Sequence, residues 1–157
     1  MESVYIETTI PSFYFETRKH PTIVAWHLST RRWWDVQRAA YRTLTSGYVI
    51  DELRVTPGAK AGKMLAMMED VACPPAPNGI DEVISVYLEH RLMPQDARGD
   101  AAHLAFASMV GADYLLTWNC RHLANANKAR QIGVLNERLG LRTPILATPD
   151  TLFALNG

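Results

Sequence analysis

The sequence has no net charge, few cysteines and no long apolar run, and each shortage excludes a class of protein. Its 157 residues carry sixteen basic and sixteen acidic side chains, so no overall field attracts nucleic acid and phosphate binding would need a local basic patch. Cys73 and Cys120 have no metal-binding or redox spacing, which predicts reduced thiols in a cytoplasmic protein. No segment reaches membrane-spanning length, and Glu2 and Glu7 interrupt the apolar residues that a signal peptide needs.

Internal repeats and low-complexity segments are also missing, and what remains is an alternation of short β-rich and helical segments. Strands are predicted over 3–8, 47–51 and 112–118, with a last strand and a closing helix in 143–155. Helices are predicted over 22–44, with Thr22 as its cap, and over 60–71, 80–92, 100–111 and most of 124–140. The alternation predicts a single domain, 1–157, in the α/β class: a central, mostly parallel sheet covered by helices on both faces.

Acidic side chains fall where such a sheet builds binding sites. Strand one ends at Glu7, strand two at Asp51 and Glu52, and Asn119 follows strand three, while Asp100 opens an apolar helix. Ligands of parallel sheets collect outside the carboxyl ends of the strands, so these groups are expected to converge. Carboxylates without basic partners repel one another, and a hard divalent cation with oxygen ligands relieves that repulsion. The pattern therefore favours a metal site that activates water at a phosphodiester.

Each residue also has an explanation that involves no function. Glu7 is equally a strand-end charge that reaches solvent, and Glu52 a first-turn acid that complements a helix dipole. Asp100 stands where a helix N-cap belongs, and Asn119 suits an ordinary turn. The combination of acids at three site-building positions favours the functional interpretation.

Three stretches, taken in chain order, resemble a known family. "VYIETTIPSFY", "TSGYVIDEL" and "GDAAHLAFASMVGADYLLTWN" are similar to successive elements of PIN-domain ribonucleases, and most of all to VapC-type toxins of bacterial type II toxin–antitoxin pairs. The resemblance runs from about residue 3 to 123 and implies a PIN-like three-layer α/β/α sandwich. It also implies Mg²⁺ or Mn²⁺ and hydrolysis of RNA phosphodiester bonds. The catalytic and supporting positions of the family fall on Glu7, Glu52 and Asp100, and on Thr9 and Thr117.

The sequence departs from that family at two positions. Glu7 stands where Asp is usual, and Asn119 stands where a fourth acid is usual, so the implied metal ligands are Glu7, Asp100 and Asn119, with Asp96 able to compensate. A catalytically weakened PIN-like module that binds RNA or a protein partner is therefore the alternative function. A flavodoxin-like small-molecule domain is a third reading, but no Gly-rich phosphate loop follows the first strand.

Further polar residues have two readings each. Arg121 and His122 follow strand three and either face a substrate phosphate or are loop charges, with His122 a possible helix cap. His103 is either a general base or a hydrogen-bonded core histidine. Lys128 and Arg130 either extend a basic strip for RNA or form a solvated helix face.

Three tryptophans share the predicted helix 22–44. Trp33 and Trp34 are adjacent and so point about 100° apart on a helix, which predicts that Trp26 or one of this pair lies at an interface. The family resemblance implies a homodimer and an antitoxin segment held in a hydrophobic groove. The alternative is that "RRW" and "WHL" stack RNA bases.

Overall fold

The computed structural model describes residues 1–90, 98–119 and 126–153. These residues contain one parallel sheet in the order β2-β1-β3-β4. Its strands are β1 (Ser3–Ile6), β2 (Arg42–Leu44), β3 (Tyr114–Leu116) and β4 (Ile145–Ala147). Val4 of β1 lies opposite Thr43 on one side and Tyr114 on the other. All four residues of β1 are buried, as expected of a central strand covered on both faces.

Helices cover both faces of this sheet, which confirms the three-layer α/β/α sandwich. They are α1 (Thr9–Tyr14), α2 (Pro21–Arg32), α3 (Gly47–Arg54), α4 (Lys60–Met68), α5 (Ile80–Glu89), α6 (Arg98–Met109) and α7 (Ala126–Leu139). Helix α6 is nearly all apolar because it is buried throughout 101–108 and packs on α5. None of the described helices combines the length and apolar character needed to cross a membrane.

The strand order creates a crevice between β1 and β3. The chain leaves β1 for β2 on one side and later returns to β3 on the other, and in open parallel sheets such a reversal of direction opens a cleft at the carboxyl ends of the strands. Glu7 follows β1 and Thr117 follows β3, so both stand at this crevice. Residues after the strands are therefore the ones the fold brings together.

The predicted second strand, 47–51, is wrong. Those residues begin α3, and the second strand is Arg42–Leu44. The Ser46 side chain accepts a hydrogen bond from the Val49 N–H, 3.4 Å away, which makes Ser46 the N-cap of the helix. Val49 and Leu53 are buried one turn apart, a spacing that belongs to a helix.

The predicted helix 22–44 is also wrong in extent. Helix α2 begins at Pro21, after a His20 side chain that accepts from the Thr22 N–H, so His20 rather than Thr22 is the cap. After α2 come a π-helical turn (Trp33–Gln37) and a 3₁₀ turn (Arg38–Ala40), and β2 follows them. The predicted closing helix is absent from described residues 148–153, which form a turn.

The two adjacent tryptophans of the π-helical turn are both buried. Trp33 and Trp34 are 1% and 7% exposed, and Trp26 stacks on Trp118 with ring centroids 4.8 Å apart. All three tryptophans pack within the fold, so a surplus of tryptophan no longer argues for an interface. The homodimer and the single domain 1–157 stay predictions.

Candidate functional site

Glu7 is a buried carboxylate at the end of β1, with an exposed fraction of 5%. Its Oε1 accepts the backbone N–H of Thr9 at 3.1 Å. Its Oε2 accepts the hydroxyls of Thr9 at 2.6 Å and Thr117 at 2.5 Å. Burial raises the pKa of Glu7 above its usual value, and the charge of His103 and the threonine hydrogen bonds offset only part of that rise.

The two threonines also bind the backbone of the chain after β3. The Thr9 hydroxyl accepts the Trp118 N–H at 2.8 Å, and the Thr117 hydroxyl accepts the Asn119 N–H at 2.9 Å. Each hydroxyl therefore accepts one backbone proton and donates its own to Glu7. The end of β1, the start of α1 and the end of β3 become one hydrogen-bonded unit.

Glu52 reaches the same edge from the middle of α3, not from the end of a strand as the sequence predicted. Its Oε1 lies 3.0 Å from the Nε2 of His103, and its Oε2 accepts the Thr8 hydroxyl at 2.5 Å. Burial alone would raise the pKa of Glu52, but the hydrogen bond and charge of His103 and the Thr8 hydroxyl outweigh burial, and the pKa lies below its usual value. Glu52 is thus an ionised group with 40% of its side chain exposed.

His103 is buried on α6, with 2% of its side chain exposed, and both ring nitrogens have partners. Nδ1 lies 2.8 Å from the Tyr5 hydroxyl, which lies 2.6 Å from the Ser46 hydroxyl. Burial would lower the pKa of His103, yet the hydrogen bond to Glu52 and the charges of three carboxylates raise it above the usual value. Those carboxylates are Glu7, Glu52 and Asp100. His103 is therefore a hydrogen-bonded core histidine, as one reading held, and it is also bound to a predicted catalytic acid.

Asp100 and Asn119 pair directly. Asp100 lies in the first turn of α6, as its third residue, and is not the N-cap. The Asn119 side-chain nitrogen donates to both carboxylate oxygens of Asp100, at 2.9 and 3.0 Å. The amide thus occupies Asp100 with its N–H groups, whereas the sequence predicted that its oxygen would be a metal ligand.

We call Glu7, Glu52, Asp100 and His103 the acid site. The three carboxylates come from three separate elements and act together on one buried imidazole. Within the described ranges, no three or more His, Cys, Asp or Glu side chains are arranged to hold a metal ion. The predicted residues Asp96, Arg121 and His122 lie outside the described residues, as does Cys120, and Cys73 is an exposed free thiol.

Three contributors to this site were not predicted from the sequence: Tyr5, Thr8 and Ser46. Tyr5 is the one hydroxyl-bearing aromatic residue in an otherwise aliphatic strand, "VYI", and that polar group in a buried position was a detectable signal. Ser46 precedes the helix that carries Glu52, so a capping search would have found it. Thr8 gave no signal that separates it from Thr9.

Comparison with known proteins supports the fold. No family model matches the sequence, and no curated protein matches it. Among solved structures that match is VapBC2 from Rickettsia felis bound to a DNA fragment from its promoter. A chain of that complex covers 93% of this chain and 98% of its own length, at 12% sequence identity and a TM-score of 0.54. At that identity the likeness concerns the fold alone, and with the sheet order above it leads to one conclusion: this chain has a PIN-like three-layer α/β/α fold.

Proposed function

We propose that the protein is a metal-dependent endoribonuclease that hydrolyses RNA phosphodiester bonds and is the toxin of a toxin–antitoxin pair. The observation that carries this proposal is the convergence of Glu7, Glu52 and Asp100 on His103 at the carboxyl edge of a parallel sheet. Crowded carboxylates in such a crevice are typical of a reactive site, and the pKa values of Glu7 and Glu52 are shifted in opposite directions. The PIN-like fold agrees with this chemistry.

The oxygen donors suit a hard divalent cation, although few of them are free to bind it. A carboxylate has about four acceptor positions, and Glu7 already uses three of them on Thr9 and Thr117. Glu7 and Asp100 would each offer one oxygen to Mg²⁺ or Mn²⁺, and magnesium is commonly held by one or two carboxylates together with waters and substrate phosphate. When bound, the cation supplies charge neutralisation at the phosphate and a water of lowered pKa.

Glu52 and His103 have separate roles in this proposal. Glu52 is ionised, partly exposed and fixed by Thr8 and His103, so it can accept a proton from the attacking water. His103, when protonated, places a positive charge among three carboxylates and lowers their mutual repulsion.

Two neighbouring acids on α3 provide the test. Glu52 points into the acid site, whereas Asp51 has a 75% exposed side chain that pairs with Arg54 at 3.5 Å. With mixed RNAs and Mn²⁺, Glu52→Gln is expected to lose cleavage by about 100-fold or more, and Asp51→Asn to keep wild-type cleavage. Absence of cleavage by the wild type with both Mg²⁺ and Mn²⁺, or equal cleavage by the two variants, would overturn the nuclease proposal.

The toxin role has its own test. The similar solved structure is a VapBC2 complex, which supports an antitoxin as partner. Expression of this protein in bacteria is expected to arrest growth, Glu52→Gln to relieve the arrest, and co-expression of the adjacent small gene to relieve it without mutation. Growth that continues during wild-type expression would contradict the toxin role without affecting the nuclease test.

One observation favours the second candidate, a weakened module that binds RNA or a protein. The Asn119 amide donates to both oxygens of Asp100, so about half of the acceptor positions of that carboxylate are already taken and a cation competes with a hydrogen-bonded partner. In that case the wild type binds RNA without cutting it, and Asn119→Asp gains cleavage with Mn²⁺. Equal cleavage by the wild type and Asn119→Asp would contradict the weakened-module candidate.

A further inference from the structure

A second surface, outside the acid site, combines basic and aromatic side chains in one groove. The groove has a volume of about 610 Å³ and runs between α1, α2 with its following turns, and α4. We call it the cation–aromatic groove. Its walls include Tyr14, Trp34, Arg31, Arg38 and Lys63, and Lys60 lines the adjoining hollow.

Both arginines of the groove lie over aromatic rings. The Arg31 guanidinium is 4.4 Å from the Tyr14 ring centroid, and its Nε donates to the Tyr14 carbonyl at 3.1 Å. The Arg38 guanidinium is 4.2 Å from the Trp34 ring centroid. Stacking restricts each side chain and leaves N–H edges of the planar fork for a ligand. Such prior ordering lowers the entropy lost when an anion binds.

The cations of the groove exceed its acids. Arg31, Arg38, Lys60 and Lys63 have no ion pair with a carboxylate in the part of the chain that the structure describes. The carboxylates of the lining are Glu16 and Asp70, and Asp35 accepts the hydroxyl of the groove residue Tyr14 at 2.9 Å. Glu16 is bound to Arg18 at 2.9 Å, and that hydrogen bond is the main reason that its pKa falls to about 2. In a chain without net charge, this groove is a local positive surface.

Helix α1 links the groove to the acid site. Thr8, immediately before α1, donates to Glu52, Ser12 accepts from the Lys60 ammonium group at 3.3 Å, and Tyr14 ends the helix under Arg31. A six-residue helix is about 9 Å long. The groove and the residue that donates to Glu52 therefore lie at opposite ends of one short helix.

We propose that the cation–aromatic groove binds the sugar–phosphate backbone of single-stranded RNA and guides it to the acid site. The inference rests on the proposed function and identifies how its substrate is held. The guanidinium groups of Arg31 and Arg38 cover the aromatic rings, so those rings do not stack on bases. The groove instead binds phosphates through the planar N–H groups of the guanidinium and through its positive charge. A polyanion with repeated phosphates matches several cations arranged along one groove.

The test measures binding without catalysis. A labelled single-stranded RNA oligonucleotide is titrated by fluorescence anisotropy in EDTA, so that no cleavage occurs. Arg31→Ala/Arg38→Ala is expected to weaken binding by about tenfold or more and to reduce the salt-dependence slope by about 1.4, since each phosphate contact contributes about 0.7 for single strands. The matched control is Arg32→Ala/Arg138→Ala, two exposed arginines that do not line the groove and whose loss is expected to leave the affinity within about twofold.

Two further variants show whether a loss of binding comes from misfolding, and they separate the effect of positive charge from that of guanidinium geometry. Lys60→Gln/Lys63→Gln touches neither stacked ring and is expected to weaken binding as well. Arg31→Lys/Arg38→Lys keeps the charge but loses the planar fork, so it is expected to restore only part of the affinity. Wild-type affinity in Arg31→Lys/Arg38→Lys would show that positive charge alone binds the RNA, and it would contradict a role for the planar guanidinium groups.

The possible outcomes distinguish this inference from the proposed function. Equal weakening by the groove and control variants, or no binding of RNA by a protein that instead binds an acidic peptide through Arg31 and Arg38, would overturn the groove. RNA held in the groove by a wild type that never cleaves would overturn the nuclease alone. Cleavage that persists with unchanged KM in Arg31→Ala/Arg38→Ala would overturn the groove alone.

Discussion

Two polar networks in this protein differ in charge. The acid site joins β1, α3 and α6 through carboxylates and an imidazole. A second network joins α5, α6 and α7 through neutral groups only: the Tyr87 hydroxyl donates to Asn136 at 2.5 Å, and the Asn136 amide donates to Ser108 and Thr143, each at 3.1 Å. We call these four residues the neutral network. Its members at Tyr87 and Asn136 are fully buried.

The comparison shows what charge adds and what it costs. The neutral network holds three helices together with ordinary hydrogen bonds, so buried charge is not needed to connect elements of this fold. Burying carboxylates such as Glu7 costs free energy that hydrogen bonds only partly return. Stabilisation of the fold is therefore a poor explanation for these buried carboxylates, and a chemical role explains them better. Variants at the two networks should accordingly separate activity from stability.

The largest expected effect is on activity, at Asp100. Asp100→Asn removes a charge at the crevice and is expected to lower RNA cleavage by about 100-fold or more while the protein stays folded. The control is Asp113→Asn, because Asp113 accepts the Ser3 N–H at 2.8 Å and pairs with Arg142 at 2.5 Å, far from the crevice end of β3. Asp113→Asn is expected to lower the melting temperature and keep cleavage; the reverse pattern in the two variants would contradict this assignment.

The next effect is on stability, in the neutral network. Asn136→Ala leaves the buried Tyr87 hydroxyl without its 2.5 Å acceptor and is expected to lower the free energy of unfolding by about 3 kcal/mol, measured by urea denaturation. Cleavage per folded molecule should not change. Asn78→Ala, at an exposed turn, is the control and is expected to leave the free energy of unfolding almost unchanged. An Asn136→Ala protein that is stable but inactive would contradict the assignment of activity to the acid site and of stability to the neutral network.

The sequence predicted the sheet and the acids better than it predicted how the acids are held. Strands one, three and four and the helices around them follow from apolar periodicity, because those segments are flanked by clear turn residues. The segment 47–51 is too short for periodicity to distinguish strand from helix, and the Ser46 cap decides it. Glu52 was nevertheless predicted at the correct edge, since α3 begins just beyond the carboxyl end of β2.

The partners of the acids depend on contacts between distant parts of the chain. His103 meets Glu52, which is 51 residues away, and Tyr5, which is 98 residues away. No local pattern encodes those separations. The Asn119 amide has a donor end and an acceptor end, and only its position beside Asp100 determines which end is used.

A moderate effect is expected from pH, through the pair of Glu52 and His103. The folded pKa of His103 is raised, so its contribution to stability is complete below 6.5 and is lost as pH rises through the folded value. The folded pKa of Glu52 is lowered, so its contribution is complete above 4.5 and is lost as pH falls through the folded value. The pair should stabilise the protein most between these two limits.

A double-mutant cycle with Glu52→Gln and His103→Asn measures that coupling by urea denaturation. Glu52 is 40% exposed, so the expected coupling is discounted to about 1 kcal/mol near pH 5.5, and it should decrease as pH rises through the raised folded pKa of His103. Glu7 and Asp100 also act on His103, but they are present in all four proteins of the cycle and their direct effects cancel. A coupling free energy that stays constant over this range would contradict an ionic pair.

The smallest effect is expected at Asn119, where the acid site most resembles the neutral network. Asn119→Asp replaces two N–H donors to Asp100 with a second carboxylate, and without divalent ions it is expected to lower the melting temperature by about 3 °C, the equivalent of roughly 1 kcal/mol in a chain of this size. Mn²⁺ should reverse the loss, because two facing carboxylates repel each other but both attract a cation. Asn119→Ala removes the same donors without adding charge and should gain nothing from Mn²⁺. If the two variants respond alike to Mn²⁺, the carboxylate of Asp100 is not facing a cation position, and the amide of Asn119 then serves the fold in the way that Asn136 does.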